Sequence, residues 1–294
     1  EDEFIGAVKD KVSKGKLVQL GVFWDFGQHA NDTEQAKFIE TVTSIIDKYG
    51  FNGIDLNEFG FPTLDDGDDD FEQPQTTAVV NYIQTLRTIK AKYGDDFGLS
   101  FTIRSTSFQL SSDTYGYHFN GAYLPVIHAL RDELSTLCLH HFDGTDDVLD
   151  WNGAKVSQDS SDYWVAMVDR PLSGFIVAGK SLPPFPASKV AVGVAPWNPS
   201  SQDSFRVNLE NGLKCVMTGQ ACAAIRTQKG PFPAPRNILW LQESLYTTKI
   251  YGQRARTGPL PVVIDFAFTD MIYSVFDRSH MIAGYVSSLP RIFA

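Results

Sequence analysis

Aromatic side chains recur at or just after the ends of the β-rich runs of this chain. Flat rings of this kind stack on the apolar faces of sugar rings, so a lining that contains several of them favours a carbohydrate ligand. Any one of these aromatics could instead fill the protein core. The residues concerned are Trp24, Phe26, Phe59, Phe142, Trp197 and Trp240.

The rest of the sequence predicts the elements that must position these residues. Short β-rich runs alternate with amphipathic segments whose apolar positions recur every three or four residues, as in a helix with one buried face. Gly50 follows such a segment where a C-cap glycine belongs. We expect helices within 38–49, 79–94, 123–134, 160–175 and 205–217, and strands within 17–24, 52–59, 97–103, 136–142, 190–194, 237–241, 262–268 and 281–286.

Regular β-α alternation predicts parallel strands, and eight strands close a barrel. The expected fold class is therefore α/β, a (β/α)8 TIM barrel that forms a single domain over residues 1–294. A doubly wound open sheet is the alternative, but no G-x-G-x-x-G motif follows a strand. Barrel chemistry lies at the C-terminal ends of the strands, which selects 24–29, 55–61, 104–108, 140–143, 195–198 and 240–243.

Composition excludes several partners. The net charge is −10 without a basic run, which disfavours nucleic acid and an anionic membrane, and no apolar run is long enough to cross a bilayer. His140 and His141 are adjacent on a predicted strand and face opposite ways, so they do not predict a metal site. The acidic run 65–70 lacks the spacing of a calcium loop and is interpreted as solvated. We expect no cofactor.

The cysteines leave two readings open. Cys215 and Cys222 are close enough to pair in an oxidising compartment, or they are two small buried thiols. The N-terminus lacks the basic start and apolar core of a signal peptide. The sequon at Asn31 is compatible with secretion, and we expect an extracellular, monomeric protein.

The stretch from Lys48 to Glu58, KYGFNGIDLNE, resembles the fourth-strand signature of family 18 chitinases, D-G-[IVF]-D-[LIF]-D-x-E. Segments that begin at Gln73, Gly121, His140, Gly174 and Val190 resemble bacterial chitinases of the D type in the same order. The resemblance covers roughly residues 1–240. It implies a TIM barrel that hydrolyses β-1,4-linked N-acetylglucosamine with retention, in which a glutamic acid protonates the leaving oxygen and the substrate's own acetamide attacks.

Several positions depart from the family pattern. Asp55 matches the middle aspartate of the signature. Asn57 occupies the position of the aspartate that orients the acetamide, and Phe59 occupies the position of the proton donor. Glu58 lies one residue earlier, and on a regular strand it faces the opposite side unless a bulge re-aims it. We therefore predict Asp55, Asn57 and Glu58 as the remnant of the catalytic strand.

Other family positions differ as well. Phe101–Arg104 replaces an M-A-P-E motif. Phe142 occupies the position of the tyrosine that hydrogen-bonds the acetamide, and Asp143 occupies the position of the neighbouring asparagine. The predicted substrate-binding residues are Trp24, Phe59, Arg104, His140, Phe142, Asp143, Trp197 and Trp240. The family's first two strands have candidate counterparts only in 262–268 and 281–286, so the order of these strands is expected to be rearranged.

Three functions remain open. The first is a chitinase-like protein that binds chitin or N-acetylglucosamine oligosaccharides with hydrolysis impaired or lost. The second is an active retaining chitinase with Glu58 as the proton donor. The third is a barrel used as a scaffold for storage or for binding another protein, since the fold alone does not select a function.

Overall fold

A computed structural model describes residues 1–24, 31–58, 64–108, 123–141, 148–151, 154–157, 159–177, 179–194, 202–225, 237–240 and 263–265. The chain divides into two compact units. The first contains residues 1–102 and 123–136 of the described part, and the second contains 103–108 and the described residues from 137 to 265. The prediction of a single domain remains a prediction.

The first unit is built on three parallel strands. Its elements are α1 (Asp2–Ser13), β1 (Gln19–Trp24), α2 (Asp32–Tyr49), β2 (Gly53–Glu58), α3 (Thr77–Tyr93), the larger part of β3 (Gly98–Arg104) and α5 (Tyr123–Leu130). β2 pairs with β1 on one side and with β3 on the other. The strands and helices predicted for this stretch are confirmed, whereas the N-terminal helix α1 was not predicted.

Alternation along the three strands separates an apolar face from a polar one. Leu20, Val22, Ile54, Leu56 and Phe101 are at most 1% exposed and share one parity. The opposite parity carries the polar residues Gln19, Asp55, Asn57, Ser100 and Thr102, together with the glycines Gly21, Gly53 and Gly98. Because side chains alternate across a strand, the polar residues share one face of this sheet.

Helix α2 begins and ends where its sequence predicts. The side chain of Asn31 accepts a hydrogen bond from the backbone N–H of Glu34, which caps the first turn. Gly50 takes the left-handed conformation, with φ of 80°, and its N–H donates to the carbonyl of Ile46. This is the geometry that favours glycine after a helix, and it sets the turn into β2.

The acidic run 65–70 is not uniformly solvated, so that interpretation was wrong at Asp68. Asp68 is 5% exposed. Its Oδ2 accepts hydrogen bonds from the backbone N–H groups of Gln75 and Thr76 and from the Thr76 hydroxyl, at 3.0, 2.7 and 2.6 Å. The free N–H groups before α3 need an acceptor, and Asp68 supplies it from the preceding loop.

The second unit is also built on parallel strands. Its elements are α4 (Ser105–Phe108), β4 (Thr136–His141), β5 (Val148–Trp151), β6 (Ala154–Ser157), α6 (Ser161–Ser173), β7 (Phe175–Val177), β8 (Lys180–Leu182), a 3-10 turn (Ala187–Lys189), β9 (Val190–Val194), α7 (Gln202–Thr218), β10 (Asn237–Trp240) and β11 (Val263–Asp265). β9 pairs in parallel with β4 and β10, and β10 pairs with β11.

Two hairpins of the second unit were not predicted, β5–β6 and β7–β8. Phe175 was assigned to a helix, and this was wrong because α6 ends at Ser173 and Gly174 breaks it with φ of 73°. Of the two closing β-rich runs, 262–268 contains β11, whereas 281–286 lies outside the described residues.

Candidate functional site

Strand β2 presents Asp55 and Asn57 on the same face, two residues apart. Their neighbours across β3 are Ser100 and Thr102, which are 4% and 1% exposed. Asp55 and Asn57 are partly exposed, whereas Ile54 and Leu56, which have the opposite parity on the strand, are buried. The strand therefore holds a carboxylate and an amide side by side, and the neighbouring strand places a hydroxyl-bearing residue next to each of them.

Three hydrogen bonds fix the Asp55 carboxylate. The hydroxyl of Thr102 lies 3.0 Å from Oδ1 and 3.1 Å from Oδ2, so one donor spans both oxygens. Nδ2 of Asn57 donates to Oδ2 at 3.1 Å and lies 3.4 Å from the Asp55 carbonyl. Burial raises the pKa of Asp55 to about 6, although the Thr102 and Asn57 hydrogen bonds lower it.

A second polar layer lies one residue pair nearer the strand starts. Nε2 of Gln19 donates to the carbonyl of Ile54 and to the hydroxyl of Ser100, both at 2.8 Å. Gly53 permits β2 and β3 to lie close together here, because a Cβ at residue 53 would lie 2.7 Å from the carbonyl oxygen of Gly98. These contacts tie β1 to β2 and β3, and they help to fix the position of Asp55 along the sheet.

Glu58 ends β2 in unbroken register with β1. Each residue of β2 faces one residue of β1, up to the pair Trp24 and Glu58. Within this described stretch no residue is doubled, so no bulge changes the strand parity before residue 58. Glu58 thus has the parity of Ile54 and Leu56. Its side chain lies outside the described part of the structure.

Similarity to individual proteins, and not to a family model, identifies the family of this chain. No protein-family model matches it. It is 34% identical over 251 residues to a protein of Arthroderma benhamiae described as a probable class II chitinase, a match that covers 81% of this chain and 75% of the relative. It is 35% identical over 251 residues to exochitinase 1 of Streptomyces olivaceoviridis, with 81% and 42% covered. A solved family GH18 chitinase from Chromobacterium violaceum superposes with a TM-score of 0.64 at 26% identity. This chain is a member of glycoside hydrolase family 18.

The family 18 structure also confirms the predicted fold class, a TIM barrel. The superposition covers 81% of this chain and 63% of the solved one. The chain thus spans less than two thirds of that protein and of the Streptomyces relative. A rearranged order of the first two strands remains a prediction.

The structure describes only some of the other predicted site residues of this family 18 chain. Arg104 is the last residue of β3 and is partly exposed, and His140 is 7% exposed one residue before the end of β4. For Trp24 and Trp240 only the backbone is described, at the ends of β1 and β10. Phe59, Phe142, Asp143 and Trp197 lie outside the described residues.

Thr102 is the site residue that the sequence analysis missed. It was treated only as part of a lost M-A-P-E motif, since a threonine in a β-rich run is ordinary. The signal that identifies it is register, because β3 pairs with β2 so that Thr102 faces Asn57. Parallel register between distant segments cannot be read from the two segments alone.

Neither a metal centre nor a membrane-spanning helix is found among the described residues. No group of three or more His, Cys, Asp or Glu side chains there is arranged to hold a metal ion. In the same part of the chain, no helix combines the length and apolar character that crossing a membrane requires.

Proposed function

We propose that this family 18 chain binds chitin or N-acetylglucosamine oligosaccharides and that its capacity to hydrolyse them is impaired or lost. The observation that carries the proposal is the Asn57 amide donating to Asp55 at 3.1 Å. In the family signature both positions are aspartates, and a third acid follows two residues later. In this chain the same three positions are occupied by Asp55, Asn57 and Phe59.

The consequence for catalysis is chemical. Hydrolysis of a glycosidic bond requires a carboxylic acid that protonates the leaving oxygen. Asp55 is the one carboxyl group among these three positions, and both of its oxygens accept hydrogen bonds from the protein. A neutral amide at 57 also removes the negative charge that would stabilise a positively charged sugar intermediate.

Glu58 is the alternative proton donor, and the backbone disfavours it. An active chitinase of this kind needs a bulge that brings residue 58 to the face of Asp55. The one-to-one pairing of β1 with β2 up to Trp24 and Glu58 supports the opposite parity. An active enzyme with Glu58 as the proton donor is therefore the second candidate function.

Each of the two units carries residues at its strand ends that were predicted to contact a sugar. Tryptophans at the ends of β1 and β10 would offer stacking faces for sugar rings, and Arg104, His140 and Asp143 would offer polar contacts. The proposed aromatic contacts are Trp24, Phe59, Phe142, Trp197 and Trp240. The names of the relatives, all chitinases, support chitin as the ligand class.

A paired assay on one preparation tests the proposal. Release of 4-nitrophenol from 4-nitrophenyl N,N′-diacetylchitobioside reports hydrolysis, and sedimentation with chitin beads reports binding. The expected result is binding without turnover above a protein-free blank. Turnover that is lost in Glu58→Gln and retained in the exposed control Glu40→Gln would support the active enzyme. If the protein shows no binding and no turnover, the result would support a scaffold.

We further propose that the protein works in an oxidising, extracellular setting. Cys215 and Cys222 form a disulfide with their Cα atoms 4.8 Å apart, and such bonds persist outside reducing compartments. Mass spectrometry after alkylation without reductant should find Cys138 alone modified once the protein is unfolded. Labelling of all three cysteines in protein recovered from its native source would overturn this location.

A further inference from the structure

The asparagine that caps helix α2 also begins the triplet Asn31-Asp32-Thr33. An asparagine followed by any residue except proline, and then by serine or threonine, is an acceptor sequon for N-linked glycans. This is the only such triplet in the chain, since Asn198-Pro199-Ser200 has a proline in the middle. A sequon by itself arises easily by chance, so its use depends on the structure around it.

The folded chain leaves this sequon at the surface. All three of its residues are exposed at the start of α2. Asn31 is extended, with φ of −154° and ψ of 167°, and it lies just outside the first helical turn. A glycan is bulky and hydrophilic and has to remain in solvent after the chain folds. The position of Asn31 meets that requirement.

The two ends of the Asn31 side-chain amide have different roles. Oδ1 accepts a hydrogen bond from the backbone N–H of Glu34 at 3.0 Å, which caps the helix. Among the described residues, Nδ2 of Asn31 donates to no group of the protein. The cap thus uses the oxygen and leaves the nitrogen, which is the atom to which an N-linked sugar is attached, available for substitution.

We propose that Asn31 carries an N-linked glycan on Nδ2 while its Oδ1 continues to cap α2. This inference rests on the proposed extracellular setting, because the transfer takes place in the secretory compartment, where a disulfide such as Cys215–Cys222 also forms. The cap is compatible with the modification, since a substituted amide keeps its carbonyl oxygen as an acceptor.

The transfer step is a substitution at the anomeric carbon of the first sugar. The donor is an oligosaccharide joined through a pyrophosphate to a polyisoprenoid lipid. A bond forms between the anomeric carbon and Nδ2 of Asn31 while the bond from that carbon to the pyrophosphate oxygen breaks. Nδ2 gives up one of its two protons to a base of the transferase, and the lipid pyrophosphate leaves. The step involves no oxidation or reduction.

The test secretes the full chain from a yeast, by means of a cleavable signal sequence placed before Glu1. The mass of the intact protein is measured before and after treatment with peptide N-glycosidase F in water enriched in heavy oxygen, and a sample without the enzyme corrects for spontaneous deamidation. We expect a mass excess in most molecules that the enzyme removes, with heavy oxygen incorporated at Asn31. Asn198 should not be labelled, since Pro199 blocks its triplet.

A matched pair of variants tests whether the sequon directs the modification. Thr33→Ala destroys the sequon and leaves Asn31 in place, whereas Thr33→Ser keeps the sequon. We expect the mass excess to be lost in the first variant and retained in the second. A glycan that persists in Thr33→Ala would overturn the inference. If the chain is retained in the cells, the cell extract is analysed in the same way, because the transfer precedes export.

The state of the cysteines separates this inference from the proposed setting. Secreted wild-type protein that has the Cys215–Cys222 disulfide but no glycan would overturn the inference and leave the extracellular setting standing. Protein from its native source that has reduced cysteines and no glycan would overturn both.

The melting temperature tests whether one asparagine serves both roles. Asn31→Ala and Thr33→Ala both lack the glycan, but only the first loses the cap, so it should melt at a lower temperature. Asn31→Asp keeps a capping oxygen without an acceptor amide and should stay close to Thr33→Ala. The glycosylated wild-type protein should melt at least as high as Thr33→Ala. If it melts as low as Asn31→Ala, the modified amide no longer caps α2 and the shared use of Asn31 is wrong.

Discussion

Asn57 donates its amide hydrogen to Asp55 across 3.1 Å on one face of strand β2. A second carboxylate at this distance would have to share a proton with Asp55, since two like charges so close cannot both ionise. The amide removes that requirement and leaves a single acid whose partners are both hydrogen-bond donors.

Asp55→Asn should flatten part of the pH dependence of stability. The pKa of Asp55 in the folded protein is about 6, against an ordinary value of 3.8. Between these values the folded state keeps a proton that the unfolded state has lost, so the contribution to stability is full below about pH 4 and is lost as the pH rises to about 6. The loss is about 2 to 3 kcal/mol. Urea unfolding at pH 4, 5, 6 and 7 measures it.

The control for this experiment is Asp69→Asn, because Asp69 is exposed in the loop before α3. We expect it to follow the wild-type profile throughout. If the difference in unfolding free energy between wild type and Asp55→Asn is the same at pH 4 and pH 7, the raised pKa of Asp55 is wrong.

Asn57→Asp should place two carboxyl groups within one hydrogen bond of each other. The pair then titrates as a unit, and its upper apparent pKa should exceed that of Asp55 in the wild-type protein. We expect stability to fall with pH over a wider range, above pH 6 as well as below it. Carboxyl-carbon NMR of the labelled protein measures the titration. An unchanged Asp55 titration in this variant would mean that the two side chains do not interact in solution.

Gly53→Ala should destabilise the protein through its backbone neighbours. The new Cβ would lie 2.7 Å from the carbonyl oxygen of Gly98 and 3.1 Å from its Cα, and neither atom can move without shifting β3. We expect a loss of about 1 to 3 kcal/mol in unfolding free energy. Gly6→Ala in helix α1, where nothing lies within 4 Å, should instead stabilise by up to about 1 kcal/mol. Equal effects of the two substitutions would contradict the close approach of β2 and β3.

Much of the scaffold could be predicted because its signals are local. The stripe of Phe38, Val42 and Ile46 predicted helix α2, and Gly50 marked its end in the left-handed conformation that was observed. Helix α1 was missed because only Val8 of it is buried, so it carries little apolar periodicity. The hairpin strands are three or four residues long, too short for alternation to stand out.

The site was less predictable because it depends on contacts between distant segments. The sharing of one face by Asp55 and Asn57 follows from strand alternation alone. Thr102 was missed because 47 residues separate it from Asp55, and only the register of β2 with β3 brings them together. Asp68 was taken for a solvated acid for a related reason, since its partners Gln75 and Thr76 follow several residues later.

Asp68→Ala tests that last contact. It removes an acceptor that serves two backbone N–H groups and one hydroxyl at the start of α3. We expect a loss of about 1 to 3 kcal/mol in unfolding free energy, by the range known for capping and charged hydrogen bonds. Asp69→Ala next to it, which is exposed, should change stability by less than about 0.5 kcal/mol. Similar values for both variants would contradict the capping role of Asp68.

The most direct measurement for the central claim follows the fate of one oligosaccharide. N-acetylchitotetraose is incubated with the wild-type protein, its binding is measured by calorimetry, and the same sample is then analysed by chromatography. We predict a heat of binding and tetrasaccharide recovered intact. Disaccharide that accumulates in proportion to protein concentration, and no longer forms with Glu58→Gln, would contradict the account.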